Sequence, residues 1–195
     1  MRITTLFLIF LMISSCGQNK EKAAQKKEST RQEYLQKGGD IANMAQSELL
    51  KNVAHAMKTG GPGYAIDFCN LRALSIKDSL SNLNNCEIRR IASKYRNPVD
   101  KPQTKTEEDQ LDRYLVAHQK GDTLKPEVYL FDQSVEYYQP ILINSGACLL
   151  CHGIPGTQIA DETLQKIKAQ YPNDLATGFA LDDFRGAWKI TFQIE

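Results

Sequence analysis

Cys148-Leu149-Leu150-Cys151-His152 is the run with the clearest chemistry in this chain. Two thiols stand three residues apart, and an imidazole follows directly. C-x-x-C-H is the attachment signature of c-type haem. The spacing has a chemical reason. Two thiols at this separation reach the two vinyl groups on one porphyrin edge, and the adjacent histidine turns under the ring towards the iron. The prediction is one covalent haem c, held by Cys148 and Cys151, with His152 as an iron ligand. Two other chemistries use paired cysteines. A redox C-x-x-C belongs to a thioredoxin-like βαβ pattern, which does not surround this run. A structural zinc site wants two further Cys or His at suitable spacing. His55, Cys69, Cys86 and His118 are scattered instead.

An iron bound in this way has a second face, and the ligand there sets potential and reactivity. By residue type the candidates are Met44, Met57, His55, His118, Cys69 and Cys86. Methionine raises the potential, thiolate lowers it, and an open position favours gas binding. Cys69 falls on the apolar face of a helix rich in small residues. A buried structural cysteine and a disulfide to Cys86 are the alternatives, since exported cysteines often pair. Residue types alone leave these readings open. Met44 and Met57 read as packing residues of the first helix, His55 as exposed and His118 as a surface residue. Arg89, Arg90, Arg96 and Arg185 read either as ion-pair partners of Asp182, Asp183 or Glu108, or as cations for haem propionates, which favour bidentate partners. Arg96 is the preferred propionate contact, because Pro98 fixes a turn beside it and Asn97 can orient that turn.

Covalent haem attachment takes place outside the cytoplasm, so the motif demands export. The N-terminus meets that demand independently. Arg2 precedes an apolar stretch over residues 6–13 that is too short to span a bilayer and reads as a secretory leader. Ile13-Ser14-Ser15-Cys16-Gly17 then resembles a lipobox, with Cys16 as the lipidated mature N-terminus. A plain leader with a chance cysteine is the alternative. Lipid on one cysteine anchors a chain without spanning the membrane. The expected organisation is a signal peptide over 1–15, a lipidated N-terminus and flexible tether over 16–35, and one domain over 36–195. The expected location is a bacterial cell envelope, facing the periplasm or the exterior. The tether is charged and nearly free of apolar residues, so it cannot bury enough surface to order itself alone, and helix is expected only towards its end. The formal net charge of +1 over 195 residues argues against a nucleic-acid partner, which would call for a basic excess.

The elements that must position the motif follow from periodicity. Residues 40–58 carry a helical apolar stripe (Ile41, Met44, Ala45, Leu49, Val53, Ala56, Met57). Gly60-Gly61-Pro62-Gly63 interrupts it, and a second helix restarts at the proline. Residues 87–95 read as a strand. A third helix begins near Thr106 with acids in its first turn and Leu111, Tyr114 and Leu115 on its inner face. Residues 127–132 and 135–143 read as strands, residues 161–170 as a short helix and residues 186–194 as a closing strand. Helices first and strands afterwards predict an α+β domain.

Four further blocks carry a resemblance. They are Gly63-Tyr64-Ala65-Ile66-Asp67-Phe68-Cys69; Arg90-Ile91-Ala92-Ser93-Lys94-Tyr95-Arg96-Asn97-Pro98 with Pro102; Tyr138-Gln139-Pro140 leading to Cys148-Leu149-Leu150-Cys151-His152-Gly153; and Tyr171-Pro172-Asn173-Asp174 with Ala176-Thr177-Gly178-Phe179 and Phe184-Arg185-Gly186-Ala187. Together and in this order, over residues 40–195, they resemble a family of exported single-haem-c proteins with a PAS-like fold. That family is largely described as a domain of unknown function. It has a cyanobacterial structural prototype, and its domains also serve as sensors of bacterial signalling proteins. The resemblance implies a PAS-like antiparallel sheet flanked by helices, with N-terminal helices. It implies His152 on one face of the iron and the thiolate of Cys69 on the other, which would leave Cys86 unpaired. Asp100 stands where the family often has an asparagine. No paired carboxylates, nucleophile elbow or phosphate loop mark an enzyme. The expected function is redox sensing or low-potential electron transfer, with an unidentified redox or signalling protein as partner. The alternative is a haem enzyme of peroxidase type, or a gas-binding protein with an open sixth site.

Overall fold

The computed structural model describes residues 14–194; within its first helix, the side chains of residues 14–18 and 69–77 lie outside the described residues. The leader and the lipobox side chain of Cys16 fall outside them, as does the side chain of Cys69. Helix α1 spans Ser14–Asn84 and is bent once, at Gly60 and Gly61. Gly61 has φ 71 and ψ −169, a conformation that side chains other than glycine's resist, and Pro62 restarts the helix. At the far end Asn85, with φ 48, turns the chain out of the helix in the left-handed conformation that asparagine tolerates.

The segment expected as a flexible tether is helical instead. Its residues are strong helix formers, such as Ala23, Ala24, Lys26, Lys27 and Glu28, and Gln32 donates to Glu28 one turn earlier at 2.8 Å. It stays exposed through Ser29, and Tyr34 and Leu35 then pack against the core.

The strands β1 (Glu87–Ile91), β2 (Glu127–Leu130), β3 (Ser134–Leu142) and β4 (Phe184–Gln193) form one antiparallel sheet in the order β1-β4-β3-β2. The predicted strands are all present, within a few residues of their expected ends. Register divides the sheet's side chains between two faces. Ile88, Ile190, Tyr137 and Val128 share a row and pack with Ile41, Ala42 and Ala45 of α1. Gly38 brings the helix close enough that a β-carbon there would collide with the Tyr137 ring. The opposite face carries Ile91, Tyr138 and Ala187 under Leu111 and Tyr114 of α2 (Lys105–Gln119), whose N-cap is Thr104. A charged layer lies beside them. Glu107, fully buried, accepts from Arg89 at 2.7 Å and from Lys189 at 2.9 Å. This is an α+β fold of the expected kind.

Candidate functional site

The C-x-x-C-H run forms a short helix of its own, α3 (Gly146–His152). The Ser145 hydroxyl caps it by accepting from the Ala147 N–H at 3.2 Å. Gly153 closes it by donating to the Leu149 carbonyl at 2.9 Å. Helical spacing puts Cys148, Cys151 and His152 on one flank, three and four residues apart. Leu149 packs into a cluster with Ile143, Ala176 and Phe179, which Cys148 borders.

That flank opens on a cleft bounded by α3, the end of the sheet and both arms of the bent α1. Leu49, Val53 and Met57 line it from one arm, and Ala65 and Ile66 from the other. The bend at Gly60 and Gly61 therefore folds α1 over the site. Ile143 and Trp188 add apolar surface from the sheet side. The second arm is held by α4 (Asp161–Gln170): Lys166 donates to Asp67 at 2.8 Å.

His152 is partly open to the cleft and otherwise enclosed. Its Nδ1 lies 2.7 Å from the Ala176 carbonyl. A carbonyl can only accept, so Nδ1 carries the proton and donates, and Nε2 keeps its lone pair. Burial holds the imidazole well below its usual pKa, and the cations of Arg185 and Arg96 push the same way against the Ala176 hydrogen bond. A neutral ring with one nitrogen committed to a carbonyl is the form that ligates metals.

Four arginines were weighed from sequence, and the structure distinguishes them. Arg89 faces the α2 side and pairs with Glu107. Arg90, on the cleft, pairs with Asp100 at 2.8 Å. Arg96 donates to Asp174 at 3.1 Å through Nε, and through Nη2 to the carbonyls of Cys151 at 2.6 Å and Ala176 at 3.2 Å. Asn97 lines the cleft and caps the turn Pro98–Asp100 by accepting from Val99 N–H at 3.2 Å. Arg185 is different. It is 8% exposed, lines the cleft, and has no carboxylate partner among the described residues. It donates to the Lys94 carbonyl at 3.0 Å and lies 5.5 Å from the Phe179 ring centre. Burial, with Arg90 and Arg96 nearby, pushes its pKa down to about 9, and Asp100 and Asp174 offset only part of that.

Buried cations are normally paired. A cleft with apolar walls, two thiols, an imidazole whose Nε2 keeps its lone pair, and a buried cation without an ion pair has the chemistry to hold a flat apolar group with acidic edges. Sequence reasoning ranked Arg96 above Arg185 and did not single out Asp174, which lay within a block noted for its resemblance.

The other candidates for a sixth ligand separate by position. Met57 lines the cleft. Met44 is 43% exposed, so it does not pack as expected. His55 is exposed, and His118 stands 4.0 Å from Asp183. Cys86 forms no disulfide and packs against the α1-face core, where burial raises its thiol pKa and Lys37 opposes the shift. Cys69 belongs to α1, three and four residues beyond the cleft-lining Ile66 and Ala65.

The family model described as Tll0287-like matches residues 12–193. Among solved structures, the crystal structure of the cyanobacterial heme-protein Tll0287 is similar in fold, with a TM-score of 0.61 at 24% identity over 82% of this chain and 96% of that one. No curated protein matches the chain.

Proposed function

Because the chain belongs to the Tll0287-like family, we propose that it is a haem protein carrying one haem c, attached through Cys148 and Cys151 and ligated by His152. The observation that carries this reading is the shared flank of α3. Both cysteines and the histidine meet one apolar cleft, and His152 Nδ1 is already engaged by Ala176 at 2.7 Å. Bound haem supplies a one-electron iron couple. The chain's residues do the rest: the thiols fix one edge, Nε2 of His152 offers its lone pair, and Leu49, Val53 and Trp188 exclude water. Arg185 is the partner for an acidic edge.

The other axial ligand in this proposal is Cys69, as the family resemblance implies. A thiolate there lowers the potential, which suits redox sensing or low-potential electron transfer rather than catalysis. The partner is an unidentified redox or signalling protein. Lipid on Cys16 holds the protein at the bacterial envelope. Met57 on the cleft wall favours a second reading, a histidine–methionine site of higher potential in an ordinary electron carrier.

Low-temperature electron paramagnetic resonance on the oxidised, exported protein separates them. A low-spin signal of small anisotropy that is lost in Cys69→Ala and kept in Met57→Ala supports the thiolate. The reverse pattern establishes methionine. A high-spin signal unaffected by either change removes both ligands and points to an open-site haem enzyme or gas binder.

A further inference from the structure

The residues 174–179 run alongside the C-terminal end of α3 and are fastened to it by backbone. Gly178 N–H donates to the Gly153 carbonyl at 2.8 Å, and Phe179 N–H to the His152 carbonyl at 2.9 Å. Leu175 N–H donates to Tyr95 at 2.9 Å, which ties the same segment to the turn holding Arg96. Arg96 stands at the centre of this junction and is 7% exposed. Its Nη2 reaches two carbonyls from two different segments, that of Cys151 and that of Ala176. Asp174 grips the same guanidinium and also accepts from Ala176 N–H at 3.0 Å. The Ala176 carbonyl thus takes two donors, Arg96 and His152 Nδ1.

We infer that Arg96, oriented by Asp174, is a positioning residue for the axial histidine: one guanidinium joins the backbone of a haem-attachment cysteine to the carbonyl that aims His152. The inference rests on the haem reading of the site. It assigns Arg96 a role beyond any contact with a propionate: Nε and Nη2 are committed to Asp174 and the two carbonyls, while Nη1, on the cleft side, makes no hydrogen bond among the described residues. Sharing the carbonyl has an electronic consequence. A cationic donor on the oxygen draws away the electron density that His152 Nδ1–H would otherwise meet, so the second hydrogen bond is weaker. A weaker bond at Nδ1 makes the imidazole a poorer donor to iron, since the partner of the distal nitrogen sets ligand basicity. The clasp therefore holds the potential up and the ring in place together. Lysine cannot replace the fork, because one ammonium does not span both carbonyls and a bidentate carboxylate.

The test is Arg96→Lys, which keeps the charge and removes the fork, with Arg89→Lys as control. Arg89 is an equally buried fork on the opposite sheet face, paired with Glu107. Two readouts are taken on the exported full-length protein: the midpoint potential by spectroelectrochemistry, and amide hydrogen exchange at Gly178 and Phe179. For Arg96→Lys the expected result is about a tenfold shift of the redox equilibrium towards the oxidised form, which is about 59 mV for one electron. Exchange at both amides rises with it. Arg89→Lys should change neither. If Arg96→Lys leaves potential and exchange at their wild-type values, or if Arg89→Lys reproduces both changes, the clasp has no positioning role. Should Arg96→Lys fail to accumulate, Asp174→Asn loosens the same guanidinium while keeping it, and the same two readouts decide. A wild-type protein exported without haem would defeat the haem reading. The exchange comparison would still decide whether the clasp holds this junction.

Discussion

Replacing Arg185 by methionine should have opposite effects on the haem-free and haem-loaded protein. Arg185 is 8% exposed, lines the cleft and meets no carboxylate among the described residues. Its pKa falls from 12.5 to about 9. At about 1.36 kcal/mol per pH unit, the charged form is disfavoured in the folded chain by roughly 5 kcal/mol. The methionine variant keeps most of the apolar stem and removes that cost. It also loses the bond to the Lys94 carbonyl, a loss of about 1–2 kcal/mol with the acceptor left behind. The net gain for the haem-free chain is then roughly 3 kcal/mol. At about 2–4 °C per kcal/mol for a chain of this size, melting should rise by about 6–12 °C.

With haem in the cleft the sign should reverse. An acidic edge that had paired with a buried guanidinium is left without its partner, and breaking a buried pair from one side costs about 3–5 kcal/mol. The assay is thermal unfolding of Arg185→Met in two backgrounds: the exported haem protein, and a Cys148→Ala/Cys151→Ala chain that cannot attach haem. Stabilisation without haem and destabilisation with it is the expected pair. A shift of the same sign in both backgrounds would refute the assignment of Arg185 to the acidic edge. A loss of stability without haem would refute the claim that its burial costs more than Asp100 and Asp174 return.

Other substitutions test other parts of the structure. Cys148→Ala or Cys151→Ala should weaken covalent attachment and the double change abolish it, read as haem that organic solvent extracts from the denatured chain. Haem still covalently bound in the double variant would remove α3 as the attachment site. Glu107→Gln leaves Arg89 and Lys189 buried without their carboxylate, so urea unfolding at pH 7 should show a loss of about 3–5 kcal/mol. Burial raises the Glu107 pKa, but the Gln103 N–H, Lys189 and Arg89 outweigh it and hold it below 4.5. Its stabilisation is therefore complete above pH 4.5 and fades as pH drops through the lower folded value, an acid limb that should be absent from Glu107→Gln. Gly38→Ala sets a methyl against the buried Tyr137 ring and should cost about 1–3 kcal/mol with little change in the haem spectrum.

The parts of this protein that were legible in the sequence are those whose cause is local. The C-x-x-C-H run carries its own spacing, and a helix supplies the common flank that its chemistry requires. The strand around Ile88 and the helix from Asp161 to Gln170 follow from patterns a few residues long. The Gly60-Gly61-Pro62 bend was visible for the same reason, although its consequence was not. Only the folded chain shows that the bend carries Ala65 and Ile66 to the cleft that Val53 and Met57 already line. Helix extends through the whole tether rather than only its end, because polar composition is not the same as disorder. Its alanines, lysines and glutamates are also good helix formers, and the packed helix downstream removes the cost of starting a new one.

The arginines show what local reading cannot reach. Arg90, Arg96 and Arg185 are alike as letters, and a nearby proline was the only reason to prefer one. What distinguishes them is the acid each meets, and every relevant acid or carbonyl is remote or belongs to another element. Arg96 finds Asp174 across 78 residues and the Ala176 carbonyl across 80. Arg90 finds Asp100 across the turn. Arg185 finds no carboxylate among the described residues. In a cleft of this polarity, the buried charge without a direct ion pair is the better guide to the ligand. Arg96 is already neutralised by Asp174 and keeps only Nη1 for a further acceptor, whereas Arg185 is held by a single carbonyl and keeps most of its fork. The acid that completes Arg185 is therefore expected from the ligand, and Arg96 belongs to the framework that aims His152.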